Sequence, residues 1–219
     1  YRVVPSVVSH SVYSIGIIKQ VNEKLYMFDT DSSSINHLLK GTYDSQILSV
    51  TEIVYTNGFD NVMSFCVSDD ETKVYTYEFD DNSNYWLKSY TITSDSDNNA
   101  SNLYSEKTLL LVSSDGNNGL FSTKYKCSYV TINDMFFYNN SIYLLIGDYC
   151  STHSRGGILK LDSSNITTTE TQFSYCFSPE SSVSSENGLQ YFYYPQKIVG
   201  VGEDFILILD TITTNTQRI

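Results

Sequence analysis

Five apolar, strand-like runs in this chain each close on an aspartate. They are LYMFD from Leu25, MSFCVSD from Met63, LLLVSSD from Leu109, YLLIGD from Tyr143 and FILILD from Phe205, the third being interrupted by Ser113 and Ser114. Each is read as the second strand of a strand-turn-strand unit, preceded by another apolar run and an acidic or Gly/Ser/Asn-rich turn. The closing residues Asp29, Asp69, Asp115, Asp148 and Asp210 are separated by 40, 46, 33 and 62 residues. A mean of about 45 matches one four-stranded propeller blade and does not match a helical or leucine-rich repeat. A small sheet with two apolar faces cannot bury both alone, so such units must stack face to face around an axis.

The expected fold is therefore all-β, a single domain over 1–219 built as a β-propeller of about five repeats. The repeats fall roughly at 12–45, 46–93, 94–127, 128–190 and 191–219. The ring is expected to be incomplete or minimally closed, with Tyr1 to Val8 supplying an outer strand to the last unit. A β-sandwich is the alternative, because strand spacing alone serves both folds.

The remaining sequence supports the all-β reading. Aromatic residues make up 14% of the chain, with 19 Tyr and 11 Phe, and such rings pack well on pleated surfaces. Lys73 to Phe79 (KVYTYEF) alternates with the two-residue period of a strand. Asn57-Gly58, between ILSVTEIVY and VMSFCVSD, supplies the positive φ angles of a tight hairpin. KTLLLVSS and GLFSTKY flank the turn Asp115 to Gly119. The fourth repeat contains YVTINDMFFY, SIYLLIGD, GGILKLD and TQFSYCF as successive strands, with CSTHSR inserted before the third.

Charge narrows the partners. Thirteen Lys and Arg stand against 25 Asp and Glu, a formal net charge of −12. Phosphate backbones and anionic membrane surfaces are repelled, so no nucleic-acid partner is expected. No apolar run reaches the ~18 residues of a membrane span. The chain starts without Met or a signal-like apolar stretch and stops as another strand begins. The expectation is a removed leader, further chain beyond Ile219, and a lipid anchor outside this stretch.

Catalytic and metal signals are sparse. A Ser-His-Asp triad would draw its base from His10, His37 or His153; His37 lies in an apolar strand, and His153 is a ligand-binding candidate in the fourth-repeat insertion. Nucleophile-elbow, zincin, Walker and dinucleotide fingerprints are all missing. The stretch from Asp95 to Glu106 places Asp95, Asp97, Asn99 and Glu106 at positions 1, 3, 5 and 12 of a calcium-loop pattern. Ala100 replaces the turn glycine of that pattern, so acidic turns are the preferred reading, and no cofactor is expected beyond this weak calcium candidate. The four cysteines show no C-x-x-C spacing. Cys66 is expected to be free and buried, and if one bridge forms, Cys150 to Cys176 is the first choice among the possible pairings.

The last repeat, Tyr191 to Ile219, has an aromatic-Pro opening (Tyr194, Pro195), then Lys197 and an aliphatic strand. A short turn, the run Phe205 to Asp210 and a polar restart from Asn215 follow. This pattern resembles a blade of NHL-type propellers, the six-bladed-like kind, including those of spirochaete-type surface lipoproteins. The resemblance covers about 29 residues specifically, while the other units share only the strand-turn-strand core. It implies a propeller used as a binding platform and carries over no catalytic residue. The expected function is a non-enzymatic extracytoplasmic binding module, at the cell surface or in the periplasm, whose face recognises a protein or glycan. Tyr191, Tyr193 and Tyr194 are its candidate contacts, since tyrosine combines apolar area with a hydrogen-bonding tip. The alternative is a propeller hydrolase or lyase with a metal-assisted site in its central channel.

Overall fold

A computed structural model describes residues 2–5, 15–30, 36–44, 47–55, 59–92, 107–125, 128–149, 157–166, 173–177, 195–213 and 216–218. These residues form four small sheets. The first combines β1 (Arg2–Pro5), β2 (Ile15–Val21), β3 (Lys24–Thr30), β4 (Asn36–Asp44) and β5 (Ile47–Tyr55) in the order β1-β5-β4-β3-β2. The second contains β6 (Asn61–Val67), β7 (Lys73–Phe79), β8 (Tyr85–Thr91) and β9 (Lys107–Val112). A short helix, α1 (Leu120–Tyr125), leads to the third sheet: β10 (Val130–Tyr138), β11 (Ser141–Tyr149), β12 (Gly157–Asp162) and β13 (Phe173–Phe177). The fourth contains β14 (Pro195–Val201), β15 (Ile206–Thr213) and β16 (Thr216–Arg218). All neighbours are antiparallel except the β1–β5 pair.

Stacking explains the burial pattern. Tyr26, Phe28 and Leu38 of the first sheet meet Phe65, Val74 and Tyr90 of the second, with Phe28 and Phe65 edge to face at 4.9 Å. The opposite face of the second sheet, with Tyr75, Tyr77 and Leu87, shares a core with Met135, Leu144 and Leu159 of the third. Tyr143, Leu145 and Ile158, on the far face of the third, cover Ile198 and Ile208 of the fourth. A strand in the middle of such a stack is buried on both sides, which is why Val74 to Glu78 are all buried despite alternating in chemistry.

One irregularity recurs where the sheets meet. Each first strand carries an extra residue opposite its partner: Gly16 in β2, Met63 in β6, Asn133 in β10 and Gln196 in β14. Bulges bend a strand and increase its twist. The bulge in β10 turns Asn133 and Asp134 toward the fourth sheet, where Asn133 Nδ2 donates to the Pro195 carbonyl and the Ile198 N–H donates to Asp134 Oδ2 at 2.8 Å.

Several expectations are corrected. Among the described residues there are four sheets where five repeats were expected, and not the two of a sandwich. The described residues of the 94–127 repeat form no sheet of their own: Lys107–Val112 completes the second sheet, and GLFSTKY yields the helix α1. Gly119 has φ +107° and approaches Leu111 so closely that an added Cβ would stand 2.7 Å from the Leu111 carbonyl oxygen. This approach starts the helix and delivers Phe121 into the core between the second and third sheets. ILSVTEIVY is the last full strand of the first sheet, not the first strand of the second. Arg2–Pro5 pairs with β5 instead of completing the last sheet. Among the repeat aspartates, Asp29, Asp148 and Asp210 do lie in second strands, but Asp69 follows a first strand and Asp115 sits in a turn. The third sheet contains the four strands expected of it.

Candidate functional site

Strand direction gives the assembly two ends. At one, first strands turn into second strands through Asn22-Glu23, Ser68 to Thr72, Asn139-Asn140 and Gly202 to Asp204. At the other lie the loops Asp80 to Asn84 and Ser113 to Asn118. Asn22, Glu71, Asn139 and Asn140 adopt φ of 54°, 57°, 47° and 57°, left-handed values that asparagine tolerates better than most residues. These turns are therefore sharp.

Two adjoining cavities open at this end, sharing Asp69 and Phe137. The smaller, of about 230 Å³, is lined by Lys19 of β2, Cys66 of β6, Met135 of β10 and Val201 of β14 among others. All four first strands thus contribute to one space. Lys19 Nζ pairs with Asp134 and donates to the Met135 carbonyl at 2.8 Å. With the Ile198 N–H on the second Asp134 oxygen, one buried carboxylate ties the first, third and fourth sheets together. Cys66 is free and buried, as expected. Burial pushes its thiol well above the ordinary range, outweighing the opposite pull of Lys19, so the residue acts as a small apolar filler and not as a nucleophile.

The larger cavity, of about 400 Å³, runs between the second and third sheets and is lined by Ser68, Asp69, Asp70, Asn139, Asn140 and Ser163 among others. Its floor carries Tyr75 and Phe137, whose rings stack at 5.7 Å and 9°. Asp70 is held by its own turn: the Ser68 hydroxyl donates to Oδ1 at 2.6 Å, and the Thr72 N–H and hydroxyl at 3.1 and 2.8 Å. These bonds, with the Ser68 hydroxyl foremost, hold its carboxyl below the usual range. Beside it, Glu71 bridges the first and second sheets, accepting from Lys24 Nζ at 2.7 Å, the Tyr26 hydroxyl at 2.7 Å and Asn22 Nδ2 at 3.1 Å. Partial burial opposes its charge, but these donors outweigh it and lower its pKa to about 2.

The opposite end contains a different charge centre. Glu78 is fully buried and accepts from the Asp60 N–H, the Thr76 and Tyr90 hydroxyls and Lys88 Nζ. Burial alone would lower the Lys88 pKa, yet Glu78 and Asp60, at 3.0 and 2.5 Å, leave it raised. Each member of this cluster has a partner, so it reads as an internal brace.

His153, Tyr191, Tyr193, Tyr194, Asp95, Asp97, Asn99, Glu106 and Cys150 lie outside the described residues, as does the Asn57-Gly58 turn, while Cys176 is placed in β13 only as backbone. His37 is buried in β4, where its apolar neighbourhood suggested. Among the described residues no three His, Cys, Asp or Glu side chains gather closely enough to hold a metal ion. No helix among them is long and apolar enough to cross a membrane. The residues missed were Lys19, Asp134, Asn139 and Asn140. Their signals were a polar Asn-Asp pair inside an otherwise apolar strand and an Asn-Asn turn between two aromatic-rich runs.

The described residues define an all-β protein of four small stacked sheets, with two adjoining cavities at the end of the first-to-second-strand turns. Compared with models of protein families and with curated proteins, the chain matches none.

Proposed function

We propose that this protein is a non-enzymatic, extracytoplasmic binding module whose sheets are blades of a β-propeller, and that the end bearing the first-to-second-strand turns binds a protein or glycan. The observation that carries the reading is the pair of adjoining cavities at that end, one lined by all four first strands and one between sheets. Concave sites with a few converging polar groups are where ligands usually bind. The propeller arrangement is supported by the order in which first strands touch, β2 with β6, β6 with β10 and β10 with β14, and by the bulge common to all four. The NHL-type resemblance of Tyr191 to Ile219 agrees with it, and it is the ground for a surface or periplasmic location with a lipid anchor outside this stretch.

The test is retention on glycan and protein arrays by the full chain and by two charge reversals. Asp69→Lys alters the cavity-bearing end, and Asp81→Lys alters an exposed site at the other. Retention of the bound species is expected to fall at least tenfold for Asp69→Lys and to stay unchanged for Asp81→Lys. Loss only with Asp81→Lys would overturn the reading.

A further inference from the structure

We infer that the cleft between the second and third sheets binds a neutral hexose unit of a glycan, an inference that rests on the binding reading above. Its size, about 400 Å³, lies in the range of small-ligand sites. What the walls offer decides the ligand class.

One wall is the Asn139-Asn140 turn. Both asparagines are exposed, and their backbone carbonyls are engaged, Asn139 by the Ser141 hydroxyl and Asn140 by the Ser163 N–H. No described group meets either side-chain amide, and both residues line the cleft, so their carbonyl and NH₂ groups are left for a ligand. The facing wall is the Ser68 to Thr72 turn. There Asp70 Oδ1 is fully used while Oδ2 has no described donor, and the exposed Asp69 carboxylate stands next to it. Amides across from carboxylates provide donors and acceptors within one cleft, the set that vicinal hydroxyls need because each hydroxyl both donates and accepts. The Tyr75–Phe137 pair beneath, 2% and 9% exposed with its rings stacked on each other, closes the bottom of the cleft and leaves recognition to the polar walls.

Other ligand classes fit less well. A phosphate or sulfate would meet two carboxylates and one lysine, Lys73, in a chain of net charge −12. A peptide partner recognised through side chains would require an apolar anchor pocket, whereas this cleft is rimmed by Ser, Thr, Asn and Asp.

Saturation-transfer NMR of the full chain with a panel of neutral mono- and disaccharides (glucose, galactose, mannose, N-acetylglucosamine, lactose, cellobiose) tests the inference. Asn139→Gly/Asn140→Gly removes both amides and keeps the left-handed turn, since glycine accepts positive φ freely. Ser83→Gly, at φ 63° in a loop of the opposite end, is the matched control. At least one saccharide is expected to show transfer, with affinity reduced fivefold or more in the double variant and unchanged in Ser83→Gly at equal melting temperature. Saccharide binding indifferent to the double variant would overturn the inference. If no saccharide binds while a polypeptide found on the arrays is lost with Asp69→Lys, the hexose assignment fails and the binding reading stands. If array binding survives Asp69→Lys as well, both fail.

Discussion

The second and fourth sheets are built from similar apolar runs, yet they are buried differently. In β7 every residue from Val74 to Glu78 is buried, because the first sheet covers one face and the third sheet covers the other. In the fourth sheet Ile198 and Ile208 face the third sheet, while Val199 and Leu207, on neighbouring positions, are 52% and 43% exposed. A strand's own pattern therefore states how much apolar surface it has to bury, and its place in the stack decides how much is buried. Stability should follow place and not composition.

Equal truncations in the two sheets give the sharpest contrast. Leu87→Ala, at a fully buried position between the second and third sheets, is expected to lose about 3 kcal/mol in urea unfolding. A loss below about 1 kcal/mol would mean that this interface is loosely packed. Glu78→Gln follows at about 2 kcal/mol, below the usual range for a broken buried ion pair because Asp60 remains beside Lys88. Glu78→Gln/Lys88→Met should recover part of that loss, and a purely additive double variant would argue against coupling.

Glu71 extends the comparison to the seam between the first and second sheets. Its folded pKa, about 2, lies below the ordinary 4.5, so its contribution is complete above about pH 4.5 and is lost as pH falls toward 2. Lys24 is partly exposed, and solvent screening limits the contribution to about 1 kcal/mol. Stability measured between pH 6 and 2.5 should therefore decline less in Glu71→Gln than in the unmodified chain; parallel declines would place the acid sensitivity elsewhere. The smallest effect belongs to Leu207→Ala, expected within about 0.5 kcal/mol of the parent. A loss comparable to that of Leu87→Ala would show that the outer face of the fourth sheet is covered in solution.

The same contrast explains what was legible in the sequence. All-β character and the four strands of the third sheet follow from local alternation and the apolar runs between polar breaks. Sheet boundaries do not, because alternation looks the same within one sheet and between two. Ile47–Tyr55, followed by Asn57-Gly58, therefore read as the start of a unit when it pairs with β4 and ends one. The six residues of α1 are too few to display a helical period. The site is harder still. Lys19 and Asp134 are separated by 115 positions, and the walls of the cleft come from turns about 70 residues apart, so they meet only once the sheets stack. Asn139, Asn140, Asp69 and Asp70 all sit in tight turns, and their convergence is a property of the assembled end.

The most direct test of the working-end account is amide hydrogen exchange of the full chain with and without a saturating ligand from the arrays. The account predicts added protection in 68–75, 137–140 and 163–164, with exchange unchanged in 80–84 and 113–118. Protection concentrated in 80–84 and 113–118 would contradict it.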